Sequence, residues 1–146
     1  MILCANPSAQ FTSYQAEIES AVLSVIRGNS YILGKEVEAL EKDFASYIGS
    51  SNSVGVANGT DAIELALRAL DIGLGDEVIT VSHTAVATVA AIESSGAKAV
   101  LVDVDPMTYT LNPLQLSEAY SQQTKAVIAV HLYGHSADLD AILKNE

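Results

Sequence analysis

Apolar residues recur along this chain at two spacings, and the change from one to the other falls near residue 50. Over 15–27, Ile18, Ala21, Val22, Val25 and Ile26 share one side of a helix while Glu17 and Glu19 face elsewhere. That spacing predicts an amphipathic helix ended by Gly28-Asn29. A connector over 30–34 leads to a second such helix, with Val37, Leu40, Phe44 and Ile48 on one face and Gly49 closing it. Beyond residue 50 short apolar runs alternate with helical periodicity. Strands are predicted over 54–57, 77–81, 99–104 and 126–131, and helices over 61–70, 85–95, 113–121 and from 137 onward.

Strand and helix in alternation favour crossover connections and a mainly parallel sheet covered by helices on both faces. The predicted fold class is therefore α/β, with an N-terminal helical segment over 1–50 and a partial α/β domain over 51–146. Val100-Leu101-Val102 and Ala126-Val127-Ile128-Ala129-Val130 are continuous apolar runs, as expected of strands buried on both sides. The apolar stretch 85–92 reads as a buried helix. Asn112 before Pro113 is a good N-cap with proline at the first helical position, and Ser136 is the expected cap of the last helix. The sequence stops at Lys144-Asn145-Glu146 with no closing glycine and no further strand, so a truncated chain is expected, either a fragment or the ordered part of something longer.

Composition narrows the picture. With 146 residues, 49% of them hydrophobic, the chain can bury a substantial core. Its formal charge of −11, from 18 acids against 7 bases, opposes a broad surface for nucleic acid or an anionic membrane. A bound phosphate must then rely on local donors. The single Cys4 cannot form an internal disulfide, and the first ten residues lack the pattern of a signal peptide, so a cytoplasmic setting is expected. No run approaches the roughly 20 apolar residues needed to cross a bilayer.

Candidate chemistry collects where strands end, because ligands of open α/β sheets bind outside the carboxyl ends of the strands. The most informative such end is Val56-Ala57-Asn58-Gly59-Thr60-Asp61-Ala62. Amides at the start of a helix have no intrahelical acceptor and lie at its positive pole, so those of Gly59, Thr60 and Asp61 can hold an anionic ligand without a basic side chain, with Gly59 and Thr60 the candidate site residues. The alternative is a simple turn with a hydroxyl N-cap, and spacing alone leaves both open. His83 could lay an imidazole on a flat ring or hydrogen-bond one; it could equally satisfy loop backbone groups. Asp103 and Asp105, followed by Pro106, are expected to shape a turn rather than act as an acid/base or metal pair. His131 and His135 are four apart, but Gly134 and the strand end argue against one helical face and hence against a metal site. Asp138 and Asp140 suit the start of a helix. Lys98 and Lys125 precede the predicted strands, which places them at the edge opposite the proposed ligand.

Several words of the sequence together resemble the sugar aminotransferase family named after DegT, DnrJ, EryC1 and StrS. They are Tyr31-Ile32-Leu33-Gly34, the segment from Val54 to Ala62, Gly75-Asp76-Glu77-Val78-Ile79, Val102-Asp103-Val104-Asp105-Pro106, and Val130-His131-Leu132-Tyr133-Gly134 with Ala137-Asp138-Leu139-Asp140. They run in order over almost the whole chain. The resemblance implies part of the large domain of a fold-type I enzyme that uses pyridoxal 5′-phosphate, normally a homodimer with active sites at the subunit interface. Family members usually move an amino group from glutamate to a nucleotide-linked keto sugar. By the resemblance, Gly59-Thr60 holds the cofactor phosphate, and an aromatic residue stacks on the cofactor ring from the position that is Ala85 here. His83, two residues earlier, is the expected substitute ring partner. Tyr31 to Gly34 is expected to contribute to the shared interface.

The family's Schiff-base lysine, and the aspartate that pairs with the pyridine nitrogen, have no counterpart before Glu146. These 146 residues alone are thus expected to be catalytically inactive, with the complete protein an aminotransferase. Other readings are a sugar dehydratase of the same family, in which histidine replaces the lysine, and a non-catalytic regulatory or binding protein with this fold. A dinucleotide-binding domain ranks last, because the turn at Asn58 lacks the three-glycine fingerprint.

Overall fold

The computed structural model describes residues 4–144, and the chain divides into two compact units, 1–55 and 56–146. The continuation of the last helix through Asn145 and Glu146 lies outside the described residues.

The first unit is helical: α1 (Pro7–Ser13), α2 (Gln15–Arg27) and α3 (Lys35–Ile48). α1 is not foreseen by apolar spacing. Its signal is the pair Asn6-Pro7, in which the Asn6 carboxamide accepts from the Ala9 N–H and proline fills the first helical position. α2 and α3 form where the periodicity puts them. α3 stops at Gly49, whose φ of 81° is the left-handed value a helix end needs and whose N–H donates to the Ala45 carbonyl. Within these three helices only Ala45 is buried; Ile18, Val22, Ile26, Leu40, Phe44 and Ile48 all remain exposed.

The second unit carries the sheet. α4 (Gly59–Ala69) leads to β1 (Glu77–Val81), then α5 (Val86–Ser95), β2 (Lys98–Val102), a 3₁₀ turn (Pro113–Gln115) running into α6 (Leu116–Ala119), β3 (Thr124–Val127), a 3₁₀ turn (Leu132–Gly134) and α7 (Leu139–Leu143). The strands are parallel in the order β2-β1-β3. β1 faces Ala99 with Val78 and Val102 with Val81, and pairs Ile79 with Val127 on its other side.

Alternate β1 side chains build two cores, as a strand's period of two requires. Val78 packs with Leu67, Ile72, Ile92 and Ala97 under α4 and α5. Ile79 and Val81 pack with Leu111, Leu116 and Ile142 under α6 and α7. Helices therefore cover both faces, as the alternation predicts. Fully burying one such side chain contributes roughly 1.5–3 kcal/mol, and Ile79, Ile92, Leu111 and Leu116 are essentially inaccessible.

Several local expectations are corrected. Among the described residues the sheet has three strands, and 54–57 is not one of them. A strand exists through its partner's hydrogen bonds, so an apolar run with no neighbouring strand does not become one. β2 and β3 are the two edges, so only β1 is enclosed throughout; Leu101 is 51% exposed despite its apolar run. β2 ends before Asp103, because the Asp103 carboxylate takes the Val104 N–H and the Asp103 N–H donates to Gln115 Oε1. The strand expected over 126–131 forms earlier, at Thr124–Val127. The apolar 85–92 segment is buried on one side, with Thr88, Ala91 and Ile92 inside and Val86 84% exposed. The helix expected over 113–121 is a 3₁₀ turn followed by four α-helical residues, capped at its start by Asn112 as foreseen. Asp138, not Ser136, caps α7, through an acceptor for the Ala141 N–H.

Candidate functional site

The carboxyl rim of the sheet is where the candidate residues can be located. α4 and α5 pack side by side, and Arg68 in the last turn of α4 donates through Nη2 to the carbonyl of Ser94 near the end of α5, at 2.8 Å. Their C-termini are thus neighbours, and so are their N-termini. α5 starts at Val86, just beyond the end of β1 at Val81. The N-terminus of α4, with Gly59 and Thr60, therefore lies at the same rim as the loop holding His83.

The start of α4 differs in one respect from the expected hydroxyl cap. Asn58, extended at φ −163° and ψ 177°, is the N-cap; its Oδ1 accepts from the Asp61 N–H at 3.0 Å. Its carbonyl accepts from the Ala62 N–H at 3.1 Å. Thr60 is inside the first turn, and its hydroxyl is not the cap. The Asp61 amide, expected to be open to the anion, is instead taken by this carboxamide, while those of Gly59 and Thr60 have no protein acceptor among the described residues. A Cβ built on Gly59 meets no atom within 4 Å. Two free amides at a positive helix pole fit an anion such as a phosphate ester.

His83 stands two residues beyond β1, exposed, and among the described residues bonds no loop backbone. Its Nε2 and the Tyr133 hydroxyl are hydrogen-bonded at 3.1 Å. The imidazole also lies 6.3 Å from the Tyr109 ring and 5.8 Å from the Tyr133 ring, centre to centre, and the two tyrosine rings are 6.5 Å apart. The three rings come from the loops that follow β1, β2 and β3. Sequence reasoning does not single out Tyr109 or Tyr133. The available signal is an aromatic residue in the turn after each predicted strand, beside Asp105-Pro106 in one case and Gly134 in the other. Ala85, at the position where the resemblance expects a stacking ring, is the N-cap residue of α5 and offers only a methyl group.

The residues considered for acid/base or metal chemistry support those loops. Asp105 Oδ1 accepts from the N–H groups of Met107 and Thr108 at 2.8 and 3.1 Å, and the Asp105 carbonyl accepts from the Tyr109 N–H at 2.8 Å. His131 Nδ1 accepts from the Ala137 N–H at 3.0 Å, which uses one ring nitrogen structurally. Among the described residues no group of three or more His, Cys, Asp or Glu side chains could hold a metal ion.

The lysines of the sheet lie at the opposite edge. Lys98 opens β2 and its ammonium is 2.8 Å from Glu77 Oε1 at the start of β1. The hydrogen bond from Lys98, and a second from Ser121, hold the Glu77 carboxyl below its ordinary range; the same bond to Glu77 raises Lys98. Lys125 is exposed at the start of β3. A cleft of about 480 Å³ also lies elsewhere, between β3 and α7, lined by Tyr120, Val127, Leu139 and Leu143 among others.

A parallel sheet with helices on both faces defines an α/β domain, and in such sheets ligands bind at the carboxyl rim, where the open start of α4 and the His83 loop lie. Its relatives narrow that class: the chain belongs to the DegT/DnrJ/EryC1/StrS aminotransferase family, whose model matches residues 12–145. It is 50% identical over 129 residues to a dTDP-3-amino-3,6-dideoxy-alpha-D-galactopyranose transaminase of Aneurinibacillus thermoaerophilus, an alignment covering 88% of this chain and 36% of that protein. It is 44% identical over 135 residues to a protein of Geobacillus stearothermophilus named a pleiotropic regulatory protein, covering 92% of this chain and 36% of the relative. Among solved structures, S. venezuelae DesV in complex with a ketimine intermediate superposes with a TM-score of 0.93 at 41% identity, covering 96% of this chain and 38% of DesV. The chain spans about a third of the length of the curated relatives it matches.

Proposed function

We propose that this chain is the N-terminal part of an aminotransferase that moves an amino group from glutamate to a nucleotide-linked keto sugar, using pyridoxal 5′-phosphate. The observation that carries this reading is the 50% identity to a nucleotide-sugar transaminase over nearly the whole chain. The rim supports it independently. The Gly59 and Thr60 amides are the donors for the cofactor phosphate, and Asn58 leaves them free by taking the Asp61 N–H. His83 is the partner for the cofactor ring, in place of the side chain that Ala85 lacks. When bound, the cofactor supplies an electron sink for the transfer of the amino group.

What the chain itself does is bind and orient. Lys98 and Lys125 sit at the amino edge of the sheet and do not face the rim; as the family resemblance implies, the group that accepts and returns the proton belongs to polypeptide outside these residues. Homodimerisation, with a contribution from Tyr31 to Gly34, and a cytoplasmic location are part of the same proposal. Among the described residues no helix is long and apolar enough to cross a membrane.

The test is to incubate the complete gene product with pyridoxal phosphate, glutamate and nucleotide-linked 3-keto and 4-keto sugars, and to follow formation of the aminated sugar by mass. Amination dependent on both cofactor and glutamate is expected. Cofactor binding with no turnover on any keto sugar would sink the enzymatic reading. It would favour the second one, a regulatory protein with this fold, which the regulatory name of the Geobacillus relative supports.

A further inference from the structure

His83 is held from two sides by residues of different loops. Tyr133 reaches its Nε2 at 3.1 Å, and the Tyr109 and Tyr133 rings meet it at tilts of 47° and 58°. The tyrosines also meet each other edge to face, at 80°, so that each ring touches the other two. Edge-to-face and tilted contacts at such separations are attractive.

The backbone of both tyrosines is unusual. Tyr109 has φ 58° and Tyr133 has φ 56°, in the left-handed region that bulky L residues seldom occupy. Such a conformation persists only where the surroundings over-determine it. They do so here: Asp105 fixes the turn that ends in Tyr109, and the His131 ring ties down the segment that follows Tyr133. Strained placement of two large side chains on one imidazole, from two loops, marks the arrangement as more than surface filling.

We propose that Tyr133 and Tyr109 are positioning residues for His83: the Tyr133 hydroxyl fixes the imidazole through Nε2, and the Tyr109 ring blocks its rotation away. The inference rests on the reading above that His83 faces the ring of the cofactor. An imidazole on an exposed rim otherwise samples several rotamers, and each must be frozen when a ring docks on it. With the tyrosines in place that ordering precedes binding.

The experiment compares the complete gene product with its Y133F, Y109F, Y109A, H83A and H83A/Y133F variants. Three measurements are made: pyridoxal phosphate affinity by equilibrium dialysis, the imidazole nitrogen resonances of ¹⁵N-histidine-labelled apo protein, and the melting temperature. Y133F keeps the ring and loses only the hydroxyl; it is expected to weaken cofactor affinity about fivefold, to move the His83 Nε2 resonance, and to have no further effect in the H83A background. Y109F, whose hydroxyl has no partner among the described residues, should bind as the wild type does, while Y109A weakens binding.

Wild-type affinity in Y133F, or a loss that persists in H83A/Y133F, overturns the proposal. So does a wild-type His83 Nε2 resonance typical of a solvent-averaged imidazole, which decides the matter even if a variant fails to fold. If the wild type itself does not bind pyridoxal phosphate, the functional reading fails, and the nitrogen resonances still report separately on the bond between Tyr133 and His83.

Discussion

Gly59→Ala separates the two accounts of the α4 N-terminus, because it moves stability and binding in opposite directions only if an anion docks there. Gly59 is the first residue of α4, its φ is not in the left-handed region, and an added Cβ meets nothing within 4 Å. The methyl group therefore costs no strain. Replacing glycine at a compatible helical position stabilises by about 0.4–1 kcal/mol, mainly by restricting the unfolded chain, which corresponds to a rise of about 2 °C in melting temperature. If the open space beside Gly59 is where phosphate oxygens approach, the same methyl group keeps them from the Gly59 N–H. Losing one hydrogen bond to a charged group costs about 1.5–3 kcal/mol, or roughly 10- to 100-fold in affinity. The assay pairs thermal unfolding of the apo protein with equilibrium dialysis against pyridoxal phosphate. A variant that melts higher and binds cofactor as tightly as the wild type would refute the phosphate seat and leave α4 with a plain capped start. A variant that melts lower would refute the geometry at Gly59 instead.

Other consequences follow from the same structure. Asn58→Ala removes the side chain that accepts from the Asp61 N–H and is expected to destabilise by about 1 kcal/mol, read as a fall in urea midpoint at unchanged slope. Ile79→Ala truncates a fully buried side chain at the centre of the sheet and should cost about 2–5 kcal/mol; a loss under 1 kcal/mol by chemical denaturation would contradict the placement of β1. The Glu77–Lys98 pair makes stability depend on pH at both ends. Glu77 is held below its ordinary range, so its contribution is present above that range and lost as pH falls through the depressed value; Lys98 is raised, so its contribution is present below the ordinary lysine range and lost as pH rises through the raised one. In E77Q the urea midpoint should fall less steeply with acid than in the wild type, and added salt should shrink the difference between them, since exposed pairs are screened.

Residues read in isolation already define much of this protein. The switch from helical to alternating patterning separates the first helices from the α/β part. The run at 77–81 becomes β1 and most of that at 99–104 its parallel neighbour β2, and Gly49 and Asn112 act where local backbone chemistry needs them. These features are local: a cap or a left-handed glycine satisfies amides within a few residues of itself, so the sequence determines it. The amides of Gly59 and Thr60 belong to the same class, and the family words could be read for the same reason.

What required the folded chain is everything that depends on a distant partner. The run at 54–57 looks like a strand but, among the described residues, has none beside it. The apolar residues of β2 look buried, yet an edge position leaves Leu101 exposed. No spacing could show that His83 meets Tyr109 and Tyr133, which lie 26 and 50 positions further along. Parallel strands return to the same edge only after a crossover, so the rim is assembled from loops far apart in sequence. Their meeting is set by strand order and register, which the apolar pattern does not encode.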